Sequence, residues 1–207
     1  MKLILLGAPG SGKGTQAQKL TKALGIPQIS TGDIFRQNMK EGTPLGKKIQ
    51  DIIQRGDLVP DDVVIEIVVD RLKQADCAGG FIMDGFPRTL VQAEAFDRLQ
   101  PVDAVINLVI DDEVILHRMT GRRTCKECGG VFHTDDIGDS TTCSRCGGQL
   151  MIRPDDEHDT VLNRLDVYRK TTLPLVEHYG KQGKLITIDS DRDVETVYAS
   201  ILKAIGA

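Results

Sequence analysis

No apolar run in this 207-residue chain approaches the length of a membrane span. Ahead of the first glycine stand one lysine and the apolar residues Leu3 to Leu6, too few for a signal-peptide core, and residence in the cytoplasm is the expectation. Strong charge of either sign is also missing. A formal net charge of -4 removes the broad positive field of a general nucleic-acid binder, while leaving room for local basic clusters around a small anion. Internal repeats and low-complexity tracts are absent, and with 40% hydrophobic and 27% charged residues the disordered and collagen-like classes are excluded. What remains is one well-buried globular unit with room for an insertion or two. Histidines number only 4, and no nucleophilic triad is evident.

The chain is organised around Gly7 to Gln16, which reads GAPGSGKGTQ. Leu3 to Leu6 make a short apolar run of the kind that forms a fully buried strand, and the residues after the loop carry helical spacing to Leu24. Strand, glycine loop and helix together suit a phosphate. Gly7, Gly10, Gly12 and Gly14 let backbone N–H groups turn toward an anion, the helix adds its positive N-terminal end, and Lys13 adds a full charge. The stretch reads as a nucleoside triphosphate site. Gly14, however, stands where a hydroxyl residue normally follows the lysine, and Thr15 comes one later, so phosphate contact is better supported than a hydroxyl on magnesium.

Further along, Ile26 to Ser30 predicts a brief strand interrupted by Pro27, and Ser30-Thr31-Gly32-Asp33 starts a helix to about Met39. Thr43-Pro44 opens a helix that Gly56 ends, and Pro60 opens another with Val64, Val68 and Leu72 on one face. Phe81 to Met83 reads as a buried strand ending at Asp84, followed by helix from Leu90 to Leu99, strand from Ala104 to Ile110 and helix from Asp112 to Gly121. One long helix is expected from Thr160 to Tyr179 with Pro174 inside it, then strand from Leu185 to Ile188 and helix from Val194 to Ile205. Alternation of strand and helix implies an α/β fold with a parallel sheet covered on both faces. The stretch from Arg122 to about His158 breaks the pattern and is too poor in large apolar residues to fold unaided.

In such a sheet, ligands lie beyond the carboxyl ends of the strands. The glycine loop, Ser30 to Arg36 and Asp84 to Arg88 all fall there. Asp84 suits an acidic residue that holds magnesium directly or through water, with a turn cap as the plainer alternative. Arg36, Arg88, Arg118, Arg122, Arg123, Arg153 and Arg164 sit on or beside these segments, with Arg118 and Arg122 four apart and so expected on one helix face. Taken together with a triphosphate loop they suit transfer of a phosphoryl group whose charge must be stabilised as it moves. An acceptor that is itself a phosphate needs no strong general base.

Five cysteines are present. Four form Cys125-x-x-Cys128 and Cys143-x-x-Cys146, a spacing that closes all four positions of a structural zinc ion and suits a reducing compartment, with His133 as an unneeded alternative ligand. The metal would supply folding energy to the insertion. A nucleic-acid-binding ribbon is disfavoured, because residues 125–148 offer only Lys126 and Arg145 against Glu127, Asp135, Asp136 and Asp139. Cys77 reads as a small buried hydrophobe.

These segments resemble the adenylate kinases of the long-lid, zinc-containing bacterial type: GAPGSGKGTQ at 7, STGDIFR at 30, GDLVPDD at 56, DGFPRT at 84, TGRR at 120 and the cysteine quartet. The resemblance covers nearly the whole chain. It implies a P-loop three-layer α/β fold with a central five-stranded parallel sheet, built as a core of residues 1–29, 60–121 and 159–207, a helical nucleoside-monophosphate-binding insertion at 30–59 and a zinc-binding lid at 122–158. It implies that Gly10, Ser11, Gly12, Lys13, Gly14 and Thr15 hold the ATP phosphates, with Arg122, Val131 and Phe132 of the lid, Arg118 near the adenine and the backbone of Arg192 at its edge. Thr31, Arg36, Asp57, Leu58, Val59, Gly85, Phe86, Pro87, Arg88 and Gln92 would hold AMP, with Arg153 and Arg164 approaching both nucleotides. The implied reaction is ATP + AMP = 2 ADP with Mg2+, with Lys13, Asp84, Arg88, Arg122, Arg153 and Arg164 as its catalytic groups, in a monomer without nucleic-acid or membrane partners. The alternatives are another nucleoside-monophosphate kinase, such as a GTP:AMP or UMP/CMP enzyme, and a non-catalytic ATP-binding zinc-ribbon module.

Overall fold

The computed structural model describes residues Met1–Ala207. The N-terminal apolar run is strand β1 (Lys2–Gly7), the middle of a five-stranded parallel sheet in the order β2 (Gln28–Ser30), β3 (Phe81–Asp84), β1, β4 (Ala104–Val109), β8 (Leu185–Asp189). Alternate residues of β1 face opposite layers. Leu3 and Leu5 pack with α1 (Lys13–Leu24) and α10 (Val194–Ile205), through Ala17, Leu20, Val197 and Ile201. Ile4 and Leu6 pack with α4 (Asp61–Leu72), α5 (Leu90–Leu99) and α9 (Pro174–Lys181), through Val64, Val68, Phe96 and Tyr179. A strand buried on both faces needs no polar alternation, which is why the run reads as continuously apolar. Cys77 is buried in the second of these layers, as its sequence setting predicted.

The chain leaves β1 toward β2 on one side of the sheet, and the connection from β3 crosses back over β1 to β4. A crevice therefore opens beyond the carboxyl end of β1. Asp84 pairs with Leu5 on one side and Ser30 on the other; β2 and β3 end at one level, β1 runs two residues further to Gly7, and the loops that follow all three share that crevice.

Two helices, α2 (Thr31–Glu41) and α3 (Pro44–Arg55), stand above it. Ser30 accepts a hydrogen bond from Asp33 N–H and Thr43 from Gly46 N–H, capping their starts, and Gly42 and Gly56 end them. On the other side α6 (Asp112–Thr120) leads into a small antiparallel sheet of β5 (Arg122–Cys125), β6 (Val131–His133) and β7 (Leu150–Met151), in the order β6-β5-β7, with the single-turn α7 (Thr134–Ile137). The apolar centre of this insertion is only Cys125, Cys143 and Leu150, with Phe132 and Ile137 against them. It is as poor in core as its composition indicates. Its short strands carry no sequence period long enough to read.

One expectation is refined and one is corrected. The helix expected from Thr160 to Tyr179 is present and tolerates Pro174: α8 (His158–Val167) runs through one wide turn at Tyr168–Thr172 and a helical Leu173 into α9. Pro174 has no N–H and its ring would press on the carbonyl four residues earlier; the wide turn, closed by Leu173 N–H donating to Tyr168 O at 2.9 Å, absorbs the conflict. The correction concerns Arg118 and Arg122, which do not share a helix face, because α6 stops at Thr120 and Arg122 begins β5.

Phe96 lies edge-on to Phe81 and Phe86, with ring centroids 6.1 and 5.3 Å away, and is fully buried. Phe96→Ala is expected to lower the unfolding free energy by about 3–5 kcal/mol. Urea unfolding checks this, and a loss below about 1 kcal/mol would contradict the packing described.

Candidate active site

The loop after β1 turns into α1 through Gly12, whose φ of 91° is a left-handed conformation that side chains resist. The next residue aims its ammonium back over the loop: Lys13 Nζ donates to Gly7 O at 2.7 Å and Ala8 O at 2.8 Å. Enclosure away from water lowers the Lys13 pKa to about 7; Asp84 opposes that shift, and Arg88, Arg164 and Arg122 add to it. An anion placed among these groups relieves the repulsion.

Asp84 ends β3 beside the loop, and burial raises its pKa against the pull of Lys13. Its Oδ2 accepts from Gln28 Nε2 at 2.8 Å. The same oxygen would stand 3.4 Å from a Cβ on Gly14, so the residue after the lysine is small where the carboxylate comes close. An oxygen donor with one protein partner, next to a phosphate loop, fits a hard cation such as magnesium.

The loop following Asp84 is pinned from several directions. Thr31 Oγ1 donates to Gly85 O at 2.9 Å and Arg88 Nε to the same oxygen at 2.8 Å. Gln92 Oε1 accepts from Arg88 N–H at 2.8 Å, while Gln92 Nε2 and Thr89 Oγ1 both donate to Asp61 Oδ1. From the wide turn, Thr172 Oγ1 donates to Arg88 O at 2.9 Å. Burial, followed by repulsion from Arg164, lowers the Arg88 pKa to about 10.

Two connected spaces result. Thr31, Arg36, Asp57, Leu58, Val59, Gly85, Arg88, Gln92 and Arg164 line a pocket between α2, α3 and the Gly85 loop. Phe35 and Ile53, which sequence reading did not single out, and Val64, read there only as part of a helix face, give it apolar walls. Phe86 does not reach it, its ring being buried against Phe96, and Pro87 faces the larger cleft instead. That cleft is bounded by the loop from Gly10 to Thr15, by Asp84, and by Arg118, Arg122, Val131, Phe132, Arg153 and Arg192. Arg88 and Arg164 line both spaces. Arg118 donates from both terminal nitrogens to Ser190 O at 3.2 Å, and Arg192 Nε donates to Asp189 Oδ2 at 3.0 Å, so both fix the segment after β8. Arg123 turns to the carbonyls of Thr120 and Arg122 and lies outside both spaces.

Asp155 and Asp156, missed in the sequence, hold the arginines in place. Arg122 makes a two-pronged contact with the fully enclosed Asp156 carboxylate, its Nε at 2.7 Å. Arg164 Nη1 donates to Asp155 O at 2.8 Å and lies 2.7 Å from Asp155 Oδ2 and 3.4 Å from Asp156 Oδ1. Arg153 Nε donates to Thr124 Oγ1 at 2.9 Å, and burial, then repulsion from Arg122, lowers its pKa to about 10. Two adjacent aspartates directly after Arg153-Pro154 were the available signal, since buried arginines need counter-ions.

The four insertion cysteines converge. Their sulfurs lie within 4.8 Å of one another, with Cys125 Sγ to Cys146 Sγ at 3.5 Å and Cys128 Sγ to Cys143 Sγ at 3.7 Å. Sulfurs about 2.3 Å from a tetrahedral zinc stand about 3.8 Å apart, so the spacing fits that ion and is far beyond a disulfide. Each knuckle is a Cys-x-x-Cys-Gly-Gly turn, closed by Gly129 N–H on Cys125 O and Gly147 N–H on Cys143 O. His133 is not among them and sits instead with His117 and Asp135.

A family model described as adenylate kinase matches residues 5–184. The chain is 50% identical over 214 aligned residues to an adenylate kinase of Alkaliphilus oremlandii, covering 100% of this chain and 99% of the other. It is 48% identical over 213 residues to one of Geobacillus, with 100% and 99% covered, and 49% identical over 208 residues to one of Archaeoglobus fulgidus, with 97% and 96% covered. With a phosphate loop, an arginine-lined second pocket and relatedness along its whole length, the chain belongs to the adenylate kinase family.

Proposed function

We propose that the larger cleft takes Mg-ATP, the pocket beside α2 and α3 takes AMP, and the terminal phosphoryl group passes between them where Arg88 and Arg164 line both spaces, giving two ADP reversibly. The meeting of the two spaces at these arginines is the observation that carries the reading. Backbone N–H groups of Gly10 to Thr15 and the positive end of α1 hold the donor phosphates, with Lys13 turning from its loop carbonyls to the anion. Thr31, Arg36, Asp57 to Val59, Gly85, Pro87 and Gln92 hold AMP, and Phe86 contributes by anchoring that loop. Val131, Phe132, Arg118 and the backbone of Arg192 border the donor nucleoside.

Phosphoryl transfer spreads negative charge over the moving group, and five cations pre-aimed at one point stabilise it: Lys13, Arg88, Arg122, Arg153 and Arg164. AMP's phosphate is already ionised, so the absence of a histidine base at the junction is consistent with this acceptor. Magnesium, which would be held near Asp84, supplies neutralisation of the donor phosphate oxygens. Residues 30–59 and 122–158 act as mobile covers over the core; Lys40 Nζ donates to Lys126 O at 3.4 Å where they meet. Closing them brings in the arginines and excludes water, suppressing hydrolysis.

Zinc in the cysteine quartet makes up for the small apolar centre of the lid. Thiols held as a metal set suit a cytoplasmic setting, and a monomer is sufficient because one chain contains both spaces. No helix is long and apolar enough to cross a membrane.

Coupled assays with AMP, CMP, UMP and GMP test the acceptor: AMP is expected to be strongly preferred, and an equal or faster rate with a pyrimidine acceptor would sink the assignment. Arg122→Lys keeps the charge but loses the fork, and kcat is expected to fall about a hundred- to a thousandfold; near-normal kcat would remove Arg122 from the transfer step. Metal analysis is expected to find one zinc per chain, and Cys143→Ser to cost about 3 kcal/mol or more, roughly 6–12 °C in melting temperature. A metal-free protein of unchanged stability would refute the zinc reading.

A further inference from the structure

Outside the nucleotide spaces' phosphate ends and the cysteine quartet, one cluster of metal-ligating side chains has no role in the mechanism above. His117 lies in the last turn of α6, His133 ends β6 and Asp135 is the second residue of α7. His117 Nε2 is 2.8 Å and His133 Nδ1 3.2 Å from the same Asp135 Oδ2, and the three ligand atoms lie within 4.8 Å of one another. A divalent ion about 2.0–2.2 Å from nitrogen and oxygen ligands holds them about 2.9–3.4 Å apart. The two short separations match ligands around one ion.

The setting of His133 is a second, independent observation. Its ring is largely buried, with the side chain 19% exposed, and Nε2 lies 3.2 Å from His117 O, to which it donates. That hydrogen bond leaves the proton off Nδ1 and turns its lone pair toward Asp135, where Asp135 N–H now occupies it at 3.2 Å. Metal-bound imidazoles typically have their second nitrogen held by a carbonyl in this way. Gly121 provides the room: a Cβ there would fall 2.2 Å from His133 Nε2.

We propose that His117, His133 and Asp135 form a second metal site, distinct from the cysteine quartet, for a borderline divalent transition ion such as nickel, cobalt or zinc. Two imidazole nitrogens and one carboxylate oxygen suit these ions and not magnesium, which keeps oxygen ligands. Three protein ligands leave positions open to the cleft, which all three residues line. Because His117 belongs to α6 and the others to the 122–158 insertion, a bound ion ties the insertion to the core across the Gly121 connection. The site does not depend on which nucleotides the cleft takes.

Nickel is the probe. Protein whose zinc content has been counted is titrated with Ni2+ at pH 7.5 without nucleotide, by calorimetry and equilibrium dialysis, with zinc followed separately so that the two metal sites cannot be confused. One further nickel per chain is expected while the zinc count stays constant. His117→Gln and Asp135→Asn, both at exposed positions, are expected to weaken nickel binding about tenfold or more, His158→Gln to leave it unchanged, and excess Mg2+ not to compete. His117→Asn serves as the second variant at that position, and each variant's circular dichroism spectrum is compared with wild type. No nickel beyond the cysteine-bound metal, or equal affinity in wild type, His117→Gln and Asp135→Asn, would overturn the site and leave a plain histidine–aspartate contact.

Discussion

Mutual repulsion among a few enclosed cations is the constraint on which the structure depends. Lys13, Arg88, Arg122, Arg153 and Arg164 are drawn from a glycine loop, a strand-end loop, the insertion and α8; burial, and after it repulsion from neighbouring arginines, lowers the pKa values of Lys13, Arg88, Arg153 and Arg164. Such a cluster is unfavourable by itself and becomes favourable around polyphosphate. Asp84, Asp155 and Asp156 hold it together in the meantime. Aspartates of this kind set the direction of the guanidinium forks, so that charge is aimed before a ligand arrives.

The sheet makes this convergence possible. Because β1, β2 and β3 are parallel, with β2 and β3 ending level and β1 running two residues further, three loops that are distant in sequence open onto one crevice, over apolar layers that keep the strands rigid. The wide turn forced by Pro174 has a further effect: it brings Thr172 to Arg88 O, tying the C-terminal helices to the loop that carries a central arginine. A regular helix would carry that hydroxyl in a different direction.

The insertion follows a different rule. With three buried residues at its centre it gains little from the hydrophobic effect; four converging cysteine sulfurs and the Arg122–Asp156 pair at its base stand where a core would otherwise be. Of these, the Arg122–Asp156 pair also reaches the phosphate cleft, which Arg122 lines.

The strand–loop–helix start, the α/β alternation, the strand-end position of Asp84 and the pairing of cysteine knuckles were legible in the sequence, because each depends on neighbours a few residues apart. Tertiary structure alone decided that Phe86 turns into the core, that Arg118 holds the Ser190 carbonyl, that Asp155 and Asp156 restrain the arginines, and that His133 leaves the cysteines for His117 and Asp135. The widened turn of the long helix lay between these cases: Pro174 was visible, but its conflict with the preceding turn could end, bend or widen the helix. Local pattern determines which element forms and what chemistry it carries. Which side chains meet depends on contacts across tens of residues, made only when sheet order and helix packing bring those segments together.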